Sequence, residues 1–268
     1  MLKKLRDLCA LFIAVAWLIA SPAMGQSSVS QGQIEQWRKN GIAYYTGDER
    51  FARQNYAKAR EFFEKAGAEG DATSIYYLGN MYSEGLGMPA DEARAKLYYK
   101  RAAELGNPDS QMLTGVFIIM NGIIEHDRTR QYAMYAEANS WLEKAVDQGN
   151  MEAAFWLGDM LRKGLGAKRD ETRGVALIRQ SAKAGNANAQ AMLGALYWKG
   201  QAGVEKDLMK AHELMNKSIL GENQQALALL ARIENDMTEE QRKEAQASAK
   251  KLAREAKNAP KHTLPVKQ

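Results

Sequence analysis

The residues best suited to chemistry in this 268-residue chain are few and far apart. Its histidines are His126, His212 and His262, and its single cysteine is Cys9. A metal centre or a histidine-based triad needs such groups gathered at one point. Here one histidine falls in a connecting segment, one in a helical pattern and one close to the C-terminus. Gly85-Leu86-Gly87 and Gly164-Leu165-Gly166 have glycine enough for a phosphate loop, but no strand pattern precedes them. No Gly-x4-Gly-Lys-Ser/Thr run and no Gly-x-Ser-x-Gly elbow occurs. Asp91-Glu92 and Asp170-Glu171 are paired carboxylates, but each opens a helical segment, where negative charge favours the helix dipole. The expectation is therefore no catalytic residue, no metal and no cofactor.

Whatever groups do act must be positioned by a unit that the chain repeats. Its clearest copy runs from Asp71 through Leu78-Gly79, Tyr82 and Gly85-Leu86-Gly87 to Leu97-Tyr98-Tyr99, Ala102-Ala103 and Gly106. The closing glycine recurs at Gly70, Gly106, Gly149, Gly185 and Gly221, with spacings of 36, 43, 36 and 36. An inner glycine recurs in step at Gly79, Gly115, Gly158 and Gly194. A fixed period of this size is the signature of stacked supersecondary units. Asp71, Asn107, Asn150 and Asn186 each directly follow a closing glycine and are suited to cap a helix start. The glycine before them suits the left-handed end of the preceding helix. The inner glycine costs a helix about 1 kcal/mol relative to alanine, so its recurrence calls for close helix–helix approach. The recurring rings and aliphatic residues of the second helices (Tyr98-Tyr99, Trp141-Leu142, Leu177-Ile178, Leu214-Met215) read as core.

The ends read differently. Lys3, Lys4 and Arg6 precede a 13-residue apolar run from Leu8 to Ala20, followed by Ser21-Pro22-Ala23-Met24-Gly25. This is the pattern of a cleaved export signal, and the run is short of the ~20 residues needed to span a bilayer. Residues 1–25 are thus expected to be removed, leaving a chain without cysteine in an oxidising compartment. Residues 26–32 read as a flexible lead-in, 33–234 as the repeat array, 235–257 as a capping helix and 258–268 as a disordered tail. Thr238-Glu239-Glu240-Gln241 matches a capping box, and Leu227, Leu230 and Ala231 are expected to close the stack just before it. The net charge of +5 falls to +3 without the signal, and residues 235–268 alone carry +3. The array itself is neutral, which argues against nucleic acid.

The pattern Leu-Gly-x-x-Tyr-x-x-Gly-x-Gly followed by aromatic-rich Lys-Ala-Ala-x-x-Gly segments resembles the Sel-one-like repeat, a relative of the tetratricopeptide repeat. The resemblance covers roughly 33–234. It departs at Asn121-Gly122, beside seven additional residues in 121–130, and at Gln201-Ala202-Gly203, where one residue is inserted. It implies an all-α fold: an α/α solenoid of about five stacked helix-turn-helix repeats with a C-terminal capping helix. It further implies that the first helix of each repeat lines a concave groove. At 100° per residue, the positions opposite the core are three before, one after and four after the inner glycine. Among them Tyr76, Met112, Val116, Ile119, Phe155, Asp159, Arg162 and Trp198 are the expected partner-binding residues, with an unusually apolar character for a solvent-facing surface.

Members of such a family imply a non-enzymatic scaffold or adaptor, here exported to a bacterial periplasm, that holds a protein partner and leaves nucleic acid and membrane alone. Two alternatives accompany that expectation. One is a periplasmic immunity protein that neutralises a secreted phospholipase effector; the other is a cell-envelope enzyme such as a β-lactam-binding hydrolase. The second is weakened by the absent cysteines, because the relatives concerned staple each repeat with a disulfide.

Overall fold

The computed structural model describes residues 29–47 and 53–258. The signal-like segment, the start of the lead-in and residues 259–268 lie outside them. The described residues form twelve helices: α1 Gln31–Thr46, α2 Tyr56–Ala68, α3 Ala72–Glu84, α4 Glu92–Glu104, α5 Pro108–Ile124, α6 Arg128–Asp147, α7 Met151–Lys163, α8 Glu171–Lys183, α9 Ala187–Lys199, α10 Leu208–Leu220, α11 Gln225–Asp236 and α12 Glu239–Asn258. Five hairpins, α1/α2 to α9/α10 (units 1 to 5), stack in chain order, and α11 and α12 finish the stack.

The junction between units has one design. Asp71, Asn107, Asn150 and Asn186 accept the backbone N–H three residues on at 2.7, 2.8, 2.8 and 2.9 Å. Each also donates its own N–H back to Ala66, Ala102, Ala145 or Ser181 in the previous helix. Between the two lies a glycine with φ of 86°, 95°, 83° or 98°, a region costly for any residue with a Cβ. The fifth junction departs from expectation: Gly221 has φ −86°, and Glu222 takes the left-handed turn at φ 67°. The residue inserted at 201–203 moves α10 forward by one, so the turn falls one residue past the glycine. Gly221 serves space instead, since a Cβ there would lie 2.8 Å from that of Ala187.

Within a unit the inner glycine lets two helices touch. A Cβ at Gly79 would lie 2.7 Å from the Tyr99 ring, at Gly115 2.9 Å from Leu142 and at Gly158 2.7 Å from the carbonyl oxygen of Gly174. The seven additional residues of unit 3 form no loop: α5 has 17 residues and α6 has 20, against 13 in the helices of units 2, 4 and 5. In α11 the buried residues are Ala226 and Ile233, whereas Leu227 is 53 % exposed. The stripe expected from Leu227 and Ala231 is therefore rotated, because α11 meets α10 from the side that also carries Leu229 and Leu230. The capping box forms as expected, with Thr238 and Gln241 exchanging bonds, and α12 seats Ala245 against α10.

First helices of successive units approach one another (α1 and α3, α5 and α7, α9 and α11), and second helices do so less. That difference puts the first helices on the inner side of the curve and the second helices on the outer side.

Candidate protein-binding groove

The inner face is built by α3, α5, α7 and α9, whose orientation follows from capped starts and inner glycines. The eight expected site residues do not form one open surface. Met112, Ile119 and Phe155 are buried, with relative exposures of 7, 5 and 8 %. Met112 and Ile119 join a core that includes Ala154, Leu157 and Leu161 of α7, and Phe155 joins one with Ile178, Ala189 and Leu193. The expectation of a solvent-facing apolar strip is corrected for these three. Curvature brings the next unit over the positions three before and four after the inner glycine, which a single helical wheel does not show.

The others are half-buried. Val116 packs at the edge of the same core as Met112. Tyr76 leans on Tyr77 and Tyr99, with ring centroids at 5.6 and 6.0 Å, and burial raises its phenol above the ordinary value. Asp159 binds Arg162 at 2.8 Å and also Lys163. Trp198 donates its indole N–H to Asp236 at 2.7 Å, so it ties α9 to α11 rather than standing free in the groove.

Two depressions remain on this face. One, of about 740 Å³, lies at the N-terminal end and takes Tyr76 with Arg38, Lys39, Ile42 and Asp109. The other, of about 570 Å³, lies between α7, α9 and α11 and brings Phe155 and Arg162 together. Its floor is Trp156, Ala191, Met192, Ala195 and Leu229, and Lys199 stands at its side. Arg162 has a buried Nε with no hydrogen-bond partner among the described residues. Both volumes are within the range of ligand-sized concavities. Trp156, Met192 and Leu229 were not anticipated. The available signal was Ala191 and Ala195, small side chains at groove positions where earlier units carry Tyr76, Met112 or Phe155.

The residues with chemical potential stay apart. His126 is exposed. His212 is buried and bridges Glu234 at 3.1 Å and Asn216 at 3.2 Å, joining α10 to α11. His262 lies outside the described residues. Among the described residues no group of three potential metal ligands gathers, and no helix is long and apolar enough to cross a membrane.

Paired helices stacked in register, with a shaped inner face, define a helical-repeat scaffold for protein interaction. The chain belongs to the Sel1 repeat family, whose model matches residues 41–71, 72–107, 108–150, 152–186 and 187–222. It is 25% identical over 223 residues to an exopolysaccharide production negative regulator of Rhizobium leguminosarum bv. viciae, covering 76% of this chain and 79% of that one. It is 27% identical over 191 residues to the DAP3-binding cell death enhancer 1 of Mus musculus, covering 57% of this chain. Only 36% of that mouse protein's length is spanned. A Sel1 repeat protein of Oxalobacter formigenes has the same fold, with a TM-score of 0.63, 24% identity and coverage of 77% of this chain and 79% of that one.

Proposed function

We propose that this protein is a non-enzymatic, exported adaptor of the bacterial envelope that holds a protein partner in the C-terminal depression of its inner face. The observation that carries the reading is the alliance of Phe155, Trp156, Ala191, Met192 and Leu229 with Arg162 and Lys199 around one concavity of about 570 Å³. Aromatic and aliphatic walls accept a bulky side chain, and burial of such an anchor supplies most of an interface's energy. The two cations favour a partner with a carboxylate beside that anchor. Phe155 and Arg162 thus remain proposed contacts, Asp159 holds Arg162 beside them, Tyr76 lies apart in the N-terminal depression, and Trp198 acts by fixing α11. Met112, Val116 and Ile119 support the wall from within.

Export rests on the N-terminal pattern in 1–25, and the division into solenoid 33–234, cap 235–257 and tail 258–268 belongs to the same proposal. The experiment is affinity capture from envelope extract, with Ala195→Arg beside the wild type. Ala195 is half-buried at the depression, so arginine there fills it from the groove side. One protein retained by the wild type and lost by the folded variant supports the reading. Equal retention by both, or retention of nothing, overturns it. A captured secreted phospholipase would narrow the adaptor to an immunity protein.

A further inference from the structure

A third concavity lies on the outer face, where four differences from neighbouring units meet at one place. It is a groove of about 470 Å³ between α2 and α4, with α3 as its floor. The first departure is Gly67 on the α2 wall, where α4, α6, α8 and α10 carry Ala103, Val146, Ala182 and Ile219. The second is the floor residue Ile75, which sits 3.1 Å from where a Cβ of Gly67 would be. In units 3 and 5 that place belongs to Gln111 and Gln190, which donate to the carbonyl oxygens of Ala103 and Ala182 and so put an amide there, and in unit 4 to the small, fully buried Ala154. Here the floor, with Leu78 beside Ile75, is wholly apolar.

The third and fourth departures are a pair on α4. At the sixth residue of their second helices, units 1 and 5 carry Glu61 and Glu213, which hold the cations four residues on, Lys65 at 2.7 Å and Lys217 at 2.6 Å. Lys144, at the same place of unit 3, lies over the Trp141 ring at 4.3 Å. In α4 the sixth residue is Leu97, an aliphatic side chain left 69 % exposed. Arg101, four residues on, is thereby deprived of its acid and has no ion-pair or ring partner among the described residues. Of the other charged groups on the walls, Arg94 is held by Asp91 at 3.1 Å, and Glu64 by Arg60 at 3.4 Å. One uncompensated cation therefore stands at an apolar trough walled by Tyr82, Tyr98 and Leu97.

We propose that this groove binds an amphipathic monocarboxylate, an unbranched acyl chain lying on Gly67, Ile75 and Leu78 with its carboxylate on Arg101. The volume is that of a small-molecule site. Covering Leu97 and the trough removes apolar surface from water, and the guanidinium supplies a bidentate partner for the head. The site is separate from the inner-face depression.

Decanoate is the probe, titrated below its micellar range into the full chain by calorimetry, beside decyltrimethylammonium, the same chain with the opposite charge. Leu97→Glu supplies Arg101 with the acid that the equivalent cations of units 1 and 5 have, and Arg101→Gln removes the cation. Both positions are exposed, so folding is expected to be unchanged, as thermal melts will show. The wild type is expected to bind decanoate, each variant to lose about tenfold or more in affinity from the missing charge-assisted bonds, and the cationic amphiphile not to bind. Ala195→Arg should leave decanoate binding unaltered. No binding of decanoate, equal binding by the variants, or equal binding of the cationic probe would each overturn the proposal.

Discussion

Units 1 and 2 and units 4 and 5 build the same hairpin from different material. In the N-terminal half, the inner glycines make room for rings: a Cβ at Gly41 would lie 2.5 Å from Phe63, and one at Gly79 2.7 Å from Tyr99. Those rings belong to a larger aromatic cluster in which Phe63 stacks on Tyr77 at 4.9 Å and Tyr45 meets Tyr77 edge-on at 5.1 Å. In unit 5 a Cβ at Gly194 would meet the tip of Met215 at 3.1 Å and the Ala211 oxygen at 3.2 Å, and in unit 4 backbone meets backbone. A Cβ at Gly158 would lie 2.7 Å from the Gly174 oxygen, and one at Gly174 2.6 Å from the Gly158 oxygen. Close approach of two helices is what the repeat demands; what fills the contact is left open. The halves also differ in their concavities: the first has an apolar trough on the outer face beside α2 and α4, the second an apolar depression on the inner face over Ala191 and Ala195.

The sharpest way to break this comparison is at the glycines. Gly158→Ala should cost about 3 kcal/mol, because neither carbonyl can move without breaking its helix, whereas Gly79→Ala should cost about half as much, because the Tyr99 ring can tilt. Alanine's better helix propensity, worth about 1 kcal/mol, is common to both and does not alter the order. Urea unfolding of the two variants measures it, and a reversed order would erase the distinction between the halves.

Alkaline pH should separate the halves next. Burial raises the phenols of Tyr45, Tyr76, Tyr77, Tyr98 and Tyr99, that of Tyr99 to about 12. A phenol with a higher pKa folded than unfolded favours the folded state fully below pH ~10, and that contribution is lost as pH rises through the folded value. All five lie in α1, α3 and α4, while units 4 and 5 contain one tyrosine, Tyr197. Far-ultraviolet dichroism should hold to about pH 10 and then decline. Hydrogen exchange is expected to show α1–α4 losing protection before α7–α10. Simultaneous loss would mean that the whole stack unfolds as one unit.

The smallest effect tests the C-terminal closure. Asp236→Ala removes the acceptor of the Trp198 indole N–H, a half-exposed bond worth about 1 kcal/mol. The melting temperature should fall by about 2–4 °C for a protein of this size. Partner capture should weaken with it, since α11 supplies Leu229 to the inner depression. Unchanged capture would remove Trp198 from the groove's supporting residues.

Much of this was legible in the residues themselves. Adjacent stop and start signals such as Gly106-Asn107 determine a joint locally, because a left-handed residue and a side-chain cap each satisfy orphan backbone groups within a few residues. The inner glycines announced close packing, and the capping box at Thr238 announced α12. What tertiary structure alone decided was which faces stay open. Met112, Ile119 and Phe155 occupy groove positions on an isolated helix, yet the curvature of the stack lays the next unit across them. Glu222 took the turn expected at Gly221 because a single inserted residue at 201–203 shifted a whole helix. Leu97 and Arg101 gained meaning only once Gly67 and Ile75, some thirty residues earlier, were seen to line the same trough. Helical periodicity sets the direction of a side chain about its own axis, but exposure is a property of neighbouring helices, and their separation and curvature emerge only when all the units are packed.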